Sequence, residues 1–167
     1  YPGGPSVAKA AIDGDPFAFE LPTPKMESVY DTSFSGLKTA VLRKAQMLCG
    51  HDHSLSSKEI PPLLSQQQVN DIAAVFQRVA VASIVDKAAL AYEQYKPKDV
   101  IIAGGVASSL ELRRQLSAAL PISPIYTDPK LCTDNGAMIA SLGCFLADRG
   151  INPTDPLALE ISPSLQM

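Results

Sequence analysis

DVIIAGGVASSLELRRQLSAA, residues 99–119, is the stretch from which the rest of the chain is read. Val100, Ile101 and Ile102 make a β-branched run between turn residues, the pattern of a short strand covered on both faces. Gly104 and Gly105 follow at its C-terminal end, where a missing Cβ lets the backbone turn tightly and approach a neighbour. Leu110, Leu112 and Leu116 then fall on or near one side of an amphipathic helix. The free N–H groups and positive dipole end of that helix point back at the glycine pair, an arrangement that suits a phosphate. A glycine pair after a strand marks close packing more often than a ligand, so the neighbouring segments carry the decision.

Composition narrows the classes. In 167 residues, 46% hydrophobic and 19% charged, there is enough apolar material for one core or for one lobe of a larger protein. Fourteen basic against seventeen acidic residues give a net charge of −3, which speaks against a free-standing nucleic-acid binder. No apolar run reaches the length of a membrane span. The opening YPGGPS has neither a basic region nor an apolar core and is not a signal peptide. Cys49, Cys132 and Cys144 are odd in number and form no CxxC pair, so they read as thiols of a reducing, cytoplasmic compartment. A start on Tyr1 rather than Met reads as a piece of something longer.

Residues 1–5 read as a turn, and Ser6 as the cap of a short helix through Ile12. FAFELPTPK, residues 17–25, fits an edge strand or an extended segment. After the turn Ser33–Gly36, a helix runs from Leu37 to Leu48. Residues 49–66 are polar and carry two prolines, which makes them a loop; His51 and His53 within it lack a supported third ligand and read as solvated. The longest helical pattern spans Gln67 to Tyr95, with Val69, Ile72, Ala73, Phe76, Val79, Ala80, Ile84 and Ala88 as its apolar stripe. Pro121–Tyr126 is a short extended segment, and a helix follows Asn135 to about Ala147. The tail from residue 151 to 167 is proline-rich, with one short strand near Leu157–Ile161. Helices alternating with strands across glycine corners define an α/β layered fold, residues 1–150, followed by this tail.

Thr133-Asp134-Asn135 stands where a loop meets a helix of small residues. Thr133 or Asp134 can cap that helix. Alternatively, the Asp134 carboxylate faces a cleft and offers an oxygen to a hard or borderline metal. There is no HExxH and no Ser/His/Asp set, so a self-contained hydrolase is not expected.

Together YPGGP (1–5), SFSGLKTAV (33–41), DIAAVFQ (71–77), IIAGGVA (101–107) and CTDNGAMIA (132–140) resemble the TsaD family in order and approximate spacing. That family is also called Gcp or YgjD, and formerly O-sialoglycoprotein endopeptidase. The resemblance covers the C-terminal half of the family's length; the other half carries a His-x-x-x-His metal pair and a glycine-rich phosphate segment. It implies an actin/sugar kinase/Hsp70-like (ASKHA) fold, with this chain as the C-terminal lobe or part of it. It also implies transfer of a threonylcarbamoyl group from threonylcarbamoyl-AMP to N6 of the adenosine just 3′ of the anticodon in tRNAs reading ANN codons. Residues 1–167 alone are expected to be inactive, and the alternative is a nucleotide-binding or interaction lobe without transfer.

Carried over by residue, Gly4 matches a glycine that contacts the adenylate. Gly104 and Gly105 match glycines that lie against the phosphates. Asp134 matches the aspartate that joins two histidines around Fe2+ or Zn2+. Where the family has an adenylate-binding Asn, this chain has Ser109, which donates and accepts a hydrogen bond but lacks an amide's paired groups. Implied partners are tRNA, TsaB- and TsaE-like proteins and a second copy of the chain; no membrane is implied.

Overall fold

In the computed structural model the described residues are 3–23, 26 and 28–151. The chain divides into two compact units, Tyr1–Cys132 and Thr133–Met167. Among the described residues no helix is long and apolar enough to cross a membrane.

The first unit is built on one 30-residue helix, α3 (Gln66–Tyr95). Its start is written in Ser65 and Gln68, whose side chains each bond the other's backbone N–H in a capping box. Its end is Lys96, in the left-handed conformation at φ 44°. Helices α1 (Gly3–Ala11), α2 (Ser35–Leu48) and α4 (Leu110–Ala119) all pack against it. Near its middle, Val75 and Val79 bury against Leu37 of α2. Further along, Val81 and Val85 bury against Leu112, Leu116 and Leu120. Each such leucine removed from water contributes about 2–3 kcal/mol.

Two short strands complete the α/β character: β1 (Ile101–Ile102) and β2 (Ile125–Tyr126) pair in parallel, Ile101 opposite Ile125 and Ile102 opposite Tyr126. Helix α4 is the crossover between them, as a parallel pair requires. The second unit holds α5 (Gly136–Asp148), whose described side chains are exposed.

Several expectations change. α1 begins at Gly3 rather than after Ser6, because Pro5 falls in the first helical turn, where a missing N–H costs nothing. β1 is covered on one face only: Ile102 packs on the α3–α4 cluster while Ile101 is 70% exposed. A 3-10 turn, Gly105–Ser108, separates the glycine pair from α4, which rotates Leu110 out to 83% exposure and leaves Leu112 and Leu116 inside. Along α3 only part of the expected stripe is buried. Val69, Ile72 and Phe76 line an open groove of about 770 Å3 with Val7 and Phe34, while Ala73 and Val79 are buried together with Val75, Val81 and Val85 from outside the stripe. A helix flanked by three others has no single inner face. Residues 17–23 form turns and bends without a strand, tied down by the Arg78 Nε–H donating to the Pro16 carbonyl at 2.6 Å. The segment after α2 is mostly exposed loop, but it contains a 3-10 turn (Pro61–Leu63) and buries Ile60. Asn135, rather than Thr133 or Asp134, caps α5, its Oδ1 accepting from the Met138 N–H at 3.1 Å. The tail strand near Leu157–Ile161 lies outside the described residues.

Candidate functional site

A cavity of about 990 Å3 in the first unit is walled by α1, α3 and the corner leading into α4. Gly3 and Gly4 enter it at the start of α1, Gln77 and Val81 from α3, and Gly105, Ser108, Ser109 and Glu111 from the corner. Gly4 from one motif and Gly105 and Ser109 from another therefore line one space. Two helix starts meet there, each with backbone N–H groups that no earlier turn can accept.

The corner is held by local chemistry. Gly104 sits at φ 89°, ψ 172°, a conformation that side chains make costly, and its carbonyl accepts from the Ala107 N–H at 3.0 Å. Gly104 shapes the turn while Gly105 lines the cavity. Ala107 is buried, leaving no room for a larger side chain under the turn. Arg113, half-buried in α4, donates from Nε to the Ala107 carbonyl at 2.7 Å and from a terminal nitrogen to the Thr127 carbonyl at 3.1 Å. Its guanidinium also stacks over the Tyr126 ring, 4.7 Å from the centroid. One side chain thereby fastens the glycine corner to the end of β2.

Most polar side chains in the cavity are already committed. Ser108 Oγ donates to the Gly105 carbonyl at 2.7 Å. Ser109 Oγ accepts from the Leu112 N–H at 3.3 Å as the cap of α4, which leaves its own O–H free to donate. Both Glu111 oxygens accept from Arg114, at 2.7 and 2.8 Å, and these bonds hold its carboxyl below the usual carboxylate range. Gln77 is half-buried, and its side chain has no hydrogen-bond partner among the described residues. The sequence reading passed over Gln77 and Glu111. Glu111 and Arg114 have the three-residue spacing of a helical pair, whereas Gln77 gives no signal apart from interrupting the apolar run of DIAAVFQ.

Asp134 belongs to the second unit, where it is exposed. Among the described residues no group of three or more His, Cys, Asp or Glu is placed to hold a metal ion. A lone carboxylate falls short of the ligand set that zinc or a similar ion takes.

Fold and site define a mostly helical α/β protein with a glycine-lined cavity at two helix starts. A family model described as "TsaD: tRNA N6-adenosine threonylcarbamoyltransferase" matches residues 1–141, and the chain belongs to that family. The family implies an ASKHA-type fold. Relatives carrying the name tRNA N6-adenosine threonylcarbamoyltransferase include one from Gloeobacter violaceus, 40% identical over 99% of this chain and 45% of its own length. Another, from Symbiobacterium thermophilum, is 44% identical over 90% of this chain and 41% of its own length. One from a Synechococcus species is 39% identical over the whole chain and 43% of its own length. The chain thus spans under half the length of these curated relatives.

Proposed function

We propose that this chain is the adenylate-holding part of a tRNA N6-adenosine threonylcarbamoyltransferase, the C-terminal lobe of its ASKHA fold, with residues 151–167 as a tail. The observation that carries the reading is that Gly4, Gly105 and Ser109 line a single cavity at the starts of α1 and α4. In the reaction, N6 of a tRNA adenosine attacks the carbamoyl carbon of threonylcarbamoyl-AMP. The bond from that carbon to the phosphate oxygen breaks, AMP leaves with the electron pair, and N6 loses a proton. Backbone N–H groups at the two helix starts, with the Ser109 hydroxyl, stabilise the charge that gathers on the departing AMP. Asp134 would supply one ligand to an iron or zinc ion, which would lend Lewis acidity when bound. The remaining ligands, and the TsaB- and TsaE-like partners, lie outside these residues. The protein works in the cytoplasm, where its tRNA substrate is.

Calorimetric titration of the intact protein with AMP tests this. Gly105→Val places a side chain in the cavity without positive-φ strain or a steric neighbour within 4 Å of its Cβ. It is expected to weaken AMP binding about tenfold or more, or about 1.4 kcal/mol, while the melting temperature holds. Undiminished affinity overturns the assignment. Residues 1–167 alone are expected to transfer nothing to tRNA, and modification by them would show that the catalytic set is complete here.

A further inference from the structure

We propose that Lys9 binds the phosphate of the nucleotide, as the cation that gives the cavity its preference for an anion; this rests on the adenylate reading above. Among the described residues that line the cavity, only Lys9 and Glu111 carry charge. Glu111 is neutralised where it stands: both its oxygens accept from Arg114, at 2.7 and 2.8 Å, and one accepts also from Gln115 at 2.7 Å. Lys9 is exposed, and its ammonium has no carboxylate partner among the described residues. The wall is thus left with one uncompensated charge, and it is positive. A phosphate entering there meets attraction from Lys9 and no repulsion from a free acid.

The geometry of α1 brings that charge toward the glycines at its start. Gly4 and Lys9 belong to the same helix, about 7.5 Å apart along its axis. Side chains on a helix lean toward its N-terminus, so the Lys9 stem runs back over the turn that holds Pro5. Pro5 lines the cavity too. The four-carbon stem spans about the 6 Å of axis between those two residues. Its charge is therefore set beside the first turn of α1, within reach of a phosphate held there. An ammonium needs no particular orientation to act, being a compact charge with three equivalent donors.

The test is calorimetric binding of AMP and adenosine to the intact protein, to Lys9→Gln and to Lys9→Arg, with thermal unfolding reporting on each fold. Lys9→Gln is expected to weaken AMP binding about tenfold and to leave adenosine binding unchanged. Lys9→Arg, which keeps the charge, should retain most of the preference for AMP. Added salt should erode AMP affinity less steeply in Lys9→Gln than in wild type. An unchanged ratio of AMP to adenosine affinity in a folded Lys9→Gln overturns the role of Lys9 and leaves the adenylate reading intact. If the melting temperature falls while that ratio holds, the lysine serves the C-terminal end of α1, where a cation offsets the helix dipole. If tRNA binding falls while that ratio holds, it serves the RNA backbone instead. Failure of the wild type to bind AMP at all overturns both readings.

Discussion

Gly14 and Gly36 differ in what surrounds them, and their substitutions should differ in sign. A Cβ on Gly14 would overlap the Asn70 backbone carbonyl and come within 2.9 Å of the Ala74 Cβ, and backbone cannot swing aside as a side-chain tip can. Gly36, inside the first turn of α2, has open space around it. Gly14→Ala is expected to cost about 1–3 kcal/mol. Gly36→Ala should be neutral or stabilise by up to about 1 kcal/mol through helix propensity. Urea unfolding of the intact protein measures both, and equal midpoints for wild type and Gly14→Ala would contradict the close contact. Glu111 supplies a pH signature. Its carboxyl is depressed in the folded state by Arg114, so the pair's stabilisation is present above the ordinary carboxylate pKa and disappears as pH falls through the depressed value. The melting-temperature gap between wild type and Glu111→Gln should therefore close in acid; a gap that persists there would assign the effect to packing. At this scale the glycine pair was legible in the sequence, but not that Gly104 bends the chain and Gly105 faces the cavity. A positive φ depends on where the following turn must go.

Among the elements, the corner between β1 and α4 depends on a residue outside its own motif. Arg113 reaches two carbonyls that no single amine can bridge in the same plane. Arg113→Lys is therefore expected to cost about 2 kcal/mol of stability, in the range of bonds to a charged donor, and to weaken AMP binding as the corner loosens. Unchanged unfolding and unchanged affinity would show that the corner stands without the fork. The extents of α2 and α3 followed closely from the Ser33–Gly36 turn and from the apolar periodicity between Gln67 and Tyr95, both features that act within a few residues of chain. Which side of α3 is buried followed only in part, with Ala73 and Val79 inside as expected but Val75, Val81 and Val85 as well, because α1, α2 and α4 approach it from different directions and a periodicity argument assumes one.

For the whole molecule, the apolar surface left in contact with water is the property to test. Within the first unit, Ile101 and Ile125 form a bare sheet face and Leu110 stands out beside it in sequence. Within the second, Ile139, Leu142 and Phe145 of α5 are all more than half exposed. Patches of this kind associate. Residues 1–167 expressed alone are expected to elute above monomer mass and to bind a hydrophobic dye, with Phe145→Ser and Ile101→Thr together reducing both. A monodisperse monomer that ignores the dye would contradict this.

Local chemistry determined a good part of this protein from sequence: helices where caps and periodicity agree, the glycine corner after a β-branched strand, and the ordered motifs that announce the family. Those features act over a few residues, so a linear reading reaches them. Tertiary structure alone decided that Gly4, Gly105 and Ser109 share a cavity and that one face of the sheet is bare. Each depends on how α1 and α4 lie along α3, a matter of packing between segments tens of residues apart that no single stretch encodes.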